Sequence, residues 1–159
     1  MTVTHTYGME FETVGLTTRM AAHAITGAGV RCYAEGYGHE TPAQWKTVPD
    51  GSLRGDSCSA EVVSPILLAD RLNEARTVSR ALLNGGARVN SSTGFHVHMG
   101  ANIIGIRRPL ANLVVNYYTA HSIFAKMVAP SRTNSNHGAS HWCKVLTLEQ
   151  AQDTADRLN

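Results

Sequence analysis

The sequence predicts an α+β fold: a mainly antiparallel sheet with helices packed on one face. Three observations carry that expectation. Polar and apolar residues alternate with period two near residues 4–14 and 87–100, the signature of strands with one buried side. Apolar residues recur at helical spacing near 67–83, and proline and capping signals mark further helices at 109–128 and 148–158. Several strands are polar on one side only, which suits a sheet whose second face is open.

Taken in order, a first strand is expected from Thr4 to Val14 and a helix from Thr17 to Thr26, closed by Gly27 and Gly29. Val30–Ala34 and Gln44–Val48 read as extended pieces, and Pro49-Asp50-Gly51-Ser52 as a tight turn that suggests a hairpin. Ala60–Ser64 reads as a strand ended by Pro65. Leu68, Leu72, Ala75, Val78, Ala81 and Leu82 then place a helix over 67–83, stopped by Gly85-Gly86. Ala87–Gly100 returns to the extended pattern. A long helix is expected from Pro109 to Val128, and Thr147 with Gln150 forms a capping box for a terminal helix, Leu148–Leu158.

At 159 residues the chain fits a single domain, 1–159, with no linker or internal repeat. Hydrophobic content of 43% and charged content of 16% belong to a globular chain. The net charge is +2 and the arginines are dispersed, so no basic stripe points to nucleic acid. Cys32, Cys58 and Cys143 lack metal-type spacing and read as reduced structural thiols. With no membrane-length apolar run and no basic-then-apolar leader at the amino terminus, a cytoplasmic protein without membrane association is expected.

Two segments carry candidate chemistry. In Gly8-Met9-Glu10-Phe11-Glu12-Thr13 the carboxylates share one strand face, and in Thr93-Gly94-Phe95-His96-Val97-His98-Met99 the imidazoles do. Same-side residues are rooted about 6.6 Å apart, so the two carboxylates can converge on one ion or hold neighbouring ions. Hard carboxylate oxygens suit Mg²⁺ or Mn²⁺, and an imidazole tilts the set toward Mn²⁺ or Zn²⁺. Glu61, alone among small and apolar residues at a strand-like position, is the preferred third ligand. Asp50 reads first as turn chemistry. Arg132, in Ala129-Pro130-Ser131-Arg132-Thr133, could clamp phosphate or carboxylate oxygens. The bland alternative for each strand is a wetted sheet face.

In order, these segments resemble the phage and fungal amidoligase family, a branch of the glutamine synthetase and glutamate-cysteine ligase superfamily. Tyr7-Gly8-Met9-Glu10-Phe11-Glu12 resembles that family's opening Gly-x-Glu-x-Glu strand. Trp45 through Asp50-Gly51-Ser52-Leu53 is similar to its tryptophan followed by an Asp-Gly-Ser turn, and Glu61-Val62-Val63-Ser64-Pro65 to its Glu-hydrophobic-hydrophobic-Ser-Pro segment. Gly94-Phe95-His96-Val97-His98 resembles its Gly-hydrophobic-His-Val-His strand, and Arg132 sits where the family has an arginine in a Pro-rich loop. The match runs from about residue 7 to 132.

The resemblance implies a glutamine-synthetase-like catalytic half-domain, the N-terminal part of an amidoligase catalytic domain. It implies that Glu10, Glu12, Glu61 and His96 bind Mg²⁺ or Mn²⁺ and that His98 contacts the phosphates of ATP. Arg132 would stabilise the transferred phosphoryl group or bind the acceptor carboxylate, and Asp50 would join the catalytic set. The implied reaction is ATP-dependent ligation of a small-molecule or peptide carboxylate to an amine. The family's second block, with a Glu-Phe-Arg strand, has no counterpart before Asn159. The expectation is therefore a fragment, a chain completed by a second copy or a complementing chain, or a non-catalytic remnant binding metal, nucleotide or a partner protein. A metal-dependent hydrolase or cupin-like oxygenase built on His96-Val97-His98 is the third reading. It lacks the glutamate expected a few residues on.

Overall fold

Strand β1 (Thr6–Val14) is paired along both edges and organises the sheet around it. The structure, a computed structural model, describes residues 5–38, 40–100, 107–128 and 147–158. It divides into two compact units, Met1–Gly100 and Ala101–Asn159. In the first, β1 is followed by α1 (Thr18–Gly27), β2 (Cys32–Ala34), β3 (Trp45–Val48), β4 (Ser59–Val63), β5 (Leu67–Leu68), α2 (Leu72–Asn84) and β6 (Phe95–Met99).

One edge of β1 runs antiparallel to β4, with Glu12 opposite Glu61, and then to β5, with Tyr7 opposite Leu67. The other edge runs antiparallel to β6, with Glu10 opposite His96 and Gly8 opposite His98. β3 adds antiparallel to β4, and β2 closes that side parallel to β3. The sheet is thus mixed but antiparallel in all but one pairing, and the fold is α+β.

Residues paired across strands point to the same side. Met9, Phe11, Ala60, Val62 and Trp45 accordingly share the face on which α1 and α2 pack. Leu16, Ala21 and Ile25 meet Ala75, Val78 and Leu82 there, over Trp45, Ala60, Val62 and Leu67. Phe11 stacks on Phe95 at 5.0 Å between ring centroids and on Trp45 at 6.1 Å, an aromatic row that ties three strands together. Trp45 is 1% exposed, and its indole N–H donates to Glu74 Oε1 of α2 at 2.6 Å; Arg71 holds the same carboxylate with both ends of its guanidinium.

Two expectations are corrected. Periodicity predicts one helix over 67–83, but Leu67 and Leu68 form β5, Ala69–Arg71 a 3-10 turn, and the helix starts at Leu72. Thr6 and Tyr7 offer ladder positions to Leu68 and Leu67, and tertiary pairing overrides helical propensity there. Nor does Asp50-Gly51 close a tight hairpin: β3 and β4 do pair, through a longer loop spanning residues 49–58.

β4 ends before Pro65, as expected, and pairing along β1 resumes beyond it in β5. Between the Glu10–Val63 and Tyr7–Leu67 pairs, Gly8 and Met9 face Ser64, Pro65 and Ile66, a one-residue bulge that takes in the proline. Ser64 compensates. Its Oγ accepts from Met9 N–H at 2.8 Å and donates to Pro65 C=O at 2.7 Å, while its own N–H donates to Met9 C=O at 2.9 Å. Ser64 is 3% exposed, so Ser64→Ala strips a buried backbone N–H of its partner and should destabilise the chain by about 1–3 kcal/mol in urea unfolding. A loss below about 0.3 kcal/mol would show that the hydroxyl is dispensable to the bulge.

In the second unit, α3 (Arg107–Met127) and α4 (Leu148–Leu158) pack together, with Ala111, Ala151 and Ala155 buried. The expected capping box at α4 is formed in both directions. Gln150 Oε1 accepts from Thr147 N–H at 2.9 Å, and Thr147 Oγ1 accepts from Gln150 N–H at 3.2 Å. No helix among the described residues is long and apolar enough to cross a membrane.

Candidate active site

The face of the sheet turned away from α1 and α2 carries the chemistry. Strand alternation puts Glu10 and Glu12 there, opposite the apolar side chains of Met9 and Phe11. Register then does what sequence could not: it brings five of the candidate residues together on that face. Glu61 stands beside Glu12 from β4, and His96 beside Glu10 from β6. His96 leans along the strand to pair with Glu12, Nε2 to Oε1 at 2.9 Å, and His98 pairs with Glu10 at 3.2 Å. The carboxylates are the less exposed partners, Glu12 at 11% and Glu10 at 25% of the side chain.

Both motif glycines make room for these pairs. A Cβ at Gly94 would lie 3.0 Å from His96 Nε2 and 3.1 Å from Glu12 Oε2, inside the hydrogen-bonded pair. A Cβ at Gly8 would touch that of His98 at 3.4 Å. The ladder is tied at its ends by Glu12 N–H to Gly94 C=O at 3.1 Å and Gly100 N–H to Thr6 C=O at 2.9 Å.

Negative charge concentrates at Glu61. Partial burial, then repulsion from Glu10, Asp50 and Glu12, pushes its carboxyl up to about 7, with His96 pulling the other way. His96 is raised chiefly by its hydrogen bond to Glu12. Asp50 is near enough to act on Glu61. Its own oxygens accept from Ser52 N–H at 2.7 Å and Ser52 O–H at 2.8 Å, so it shapes the turn while adding charge. Arg132 lies outside the described residues.

The donor set fits a hard divalent cation. Three carboxylates and an imidazole crowd one face, where partial burial first and repulsion second raise one carboxyl. The side chains are paired with one another, and no three of the His, Cys, Asp and Glu groups among the described residues surround one point. Loading a cation would require His96 and His98 to release Glu12 and Glu10.

This charge pattern sets the pH response of the metal-free chain. Glu61 holds its proton more tightly folded than unfolded, so stability falls as pH rises from its ordinary 4.5 through about 7. His96, also raised, contributes stability that is full below its ordinary 6.5 and lost above its higher folded value. Both effects run the same way. Wild type should lose about 1–2 kcal/mol more than Glu61→Gln between pH 4.5 and pH 8, after allowing for solvent screening of a half-buried group. Thermal melts of the two proteins across that range measure it, and parallel pH profiles would contradict the charge crowding.

Three features escaped the sequence. Lys46 shares the acidic face by register with Val63 and Glu10, yet it is 2% exposed. Its Nζ donates to Glu35 Oε2 and Gly38 C=O, each at 3.2 Å. Its alternation with Trp45 was legible, but the segment after β2 that buries it was not. The roles of Ser64 and Gly94 were visible only as letters in motifs. The third is a cleft of about 340 Å³ at the Gly8 end of β1, lined by Glu10 and His98 as well as Glu40, Pro42, Pro65 and Ile66.

A family model described as "Putative amidoligase enzyme" matches residues 4–157. No curated protein and no solved structure matches the chain.

Proposed function

The chain belongs to the amidoligase family, and from that premise we propose that it is an ATP- and divalent-metal-dependent carboxylate-amine ligase. Family membership supports a ligase-type activity. The observation that carries the finer reading is the union of Glu10, Glu12, Glu61, His96 and His98 on one sheet face, in register, with Glu61 raised by partial burial and then by its acidic neighbours.

Glu10, Glu12, Glu61 and His96 would hold Mg²⁺ or Mn²⁺, which when bound supplies the charge neutralisation that phosphoryl transfer needs. His98, the more exposed histidine, would turn from Glu10 to the nucleotide phosphates. Asp50 keeps the loop after β3 in place and adds to the negative field, and Arg132 is the arginine proposed for the transferred phosphoryl group or the acceptor carboxylate. In the reaction, a carboxylate oxygen of the acceptor takes the γ-phosphoryl group and ADP departs. The amine nitrogen then bonds to the acyl carbon, the carbon–oxygen bond to phosphate breaks, and the amine gives up a proton. The rigid sheet face serves such chemistry by positioning, since no group of the chain need form a covalent bond.

The test is nucleotide turnover. Full-length protein with ATP, Mg²⁺ or Mn²⁺ and a panel of amino acids and amines should release ADP and phosphate only when a carboxylate and an amine are both present. Absence of ATP binding with either metal would overturn the ligase reading in favour of a non-catalytic family member.

A further inference from the structure

We propose that the cleft beside Gly8 is the pocket for the amine co-substrate, and that it selects a primary ammonium carried on an apolar body. The inference rests on the ligase reading for the word co-substrate; the selectivity itself rests on the cleft.

The cleft opens onto the candidate active face, because Glu10 and His98 belong to both. Its volume, about 340 Å³, is at the lower end of the range for small-molecule pockets, about 300–1,000 Å³. Among the described residues, Glu10 and Glu40 contribute carboxylates, Glu10 being paired with His98, and neither lysine nor arginine lines the cleft. A carboxylate entering beside Glu40 would meet repulsion, whereas an ammonium there would gain a charge-assisted hydrogen bond. Pro42, Val63, Pro65 and Ile66 supply apolar surface, Ile66 being 60% exposed.

The architecture keeps the cleft open and shaped. Gly8 contributes no side chain to its floor. Ser64 fixes the bulge that forms one wall. Buried Lys46 grips Glu35 and Gly38, a few residues before the Glu40–Pro42 wall, and so ties that segment to the sheet. Glu40 is exposed and outside the His–Glu pairs, which leaves it free to set specificity without disturbing the proposed metal ligands.

The experiment uses three probes of one shape: phenethylamine, phenethyl alcohol and 3-phenylpropionate, titrated into ¹⁵N-labelled full-length protein. Amide shifts at Gly8, Ser64, Ile66 and Gly100 report occupancy of the cleft. The expected order of affinity is amine, then alcohol, then acid, with the amine favoured about tenfold over the alcohol, equivalent to about 1.4 kcal/mol. Glu40→Gln should erase the amine's advantage and Glu40→Lys should reverse the order toward the acid, with unchanged thermal melts. Equal or stronger binding of the acid to wild type, indifference to Glu40, or shifts at other amides would overturn the proposal. ATP binding measured alongside keeps the two readings apart. Amine binding without ATP binding leaves the cleft assignment standing and removes the ligase. ATP binding without amine binding removes the cleft assignment alone.

Discussion

Glu12→Gln should reduce ligation by about 10²–10³-fold and weaken Mn²⁺ binding at least tenfold, while leaving the fold intact. Glu12 is the hinge of the acidic face. It pairs with His96 at 2.9 Å, stands in register with Glu61, receives no bulk from Gly94, and is the least exposed member of the two His–Glu pairs at 11%. Glutamine keeps the volume and one oxygen, so the β1 ladder need not move. What goes is the negative charge that a cation would need and that holds His96 above its ordinary value. Isothermal titration with Mn²⁺ and a coupled ADP assay on both proteins check this. Wild-type metal affinity in the variant would remove Glu12 from the ligand set, and wild-type turnover would remove the acidic face from the chemistry.

Trp45→Ala should destabilise the chain by about 3–5 kcal/mol, enough to unfold a marginal domain. The indole is 1% exposed, stacks on Phe11, and donates to Glu74, so truncation opens a cavity at the sheet–helix contact and leaves Glu74 short of a donor. Trp45→Phe separates the terms: it refills most of the space and loses the N–H donation, for an expected cost of about 1–3 kcal/mol. Urea unfolding of both variants measures the difference. If alanine costs less than about 1 kcal/mol, the tryptophan is not the anchor between β3 and α2.

What the sequence disclosed and what it hid follow from the range of the forces involved. Local patterns were sufficient for β1, for the capping box of α4, and for placing Glu10 with Glu12 and His96 with His98, because alternation and capping involve neighbours in the chain. The pairing of Glu12 with His96 spans 84 residues and depends on register, which no local signal announces. The same holds for β5. Leu67 and Leu68 look helical in isolation and become strand because β1 offers them partners. Lys46 is buried through partners, Glu35 and Gly38, that no local signal in its own strand announces. Arg132 lies outside the described residues, and its proposed role rests on motif order.

The two backbone bonds that close the β1–β6 ladder, Glu12 to Gly94 and Gly100 to Thr6, also act as a check on correct assembly. A slip of one residue would turn His96 and His98 toward the aromatic row and put Phe95 and Val97 among the carboxylates. The chain therefore cannot bring its glutamates and histidines together without first choosing the one alignment that also stacks Phe11 on Phe95. The amide protons of Glu12 and Gly100 are natural reporters of that choice. Their exchange with solvent should slow together, and only in molecules whose acidic face is already in place.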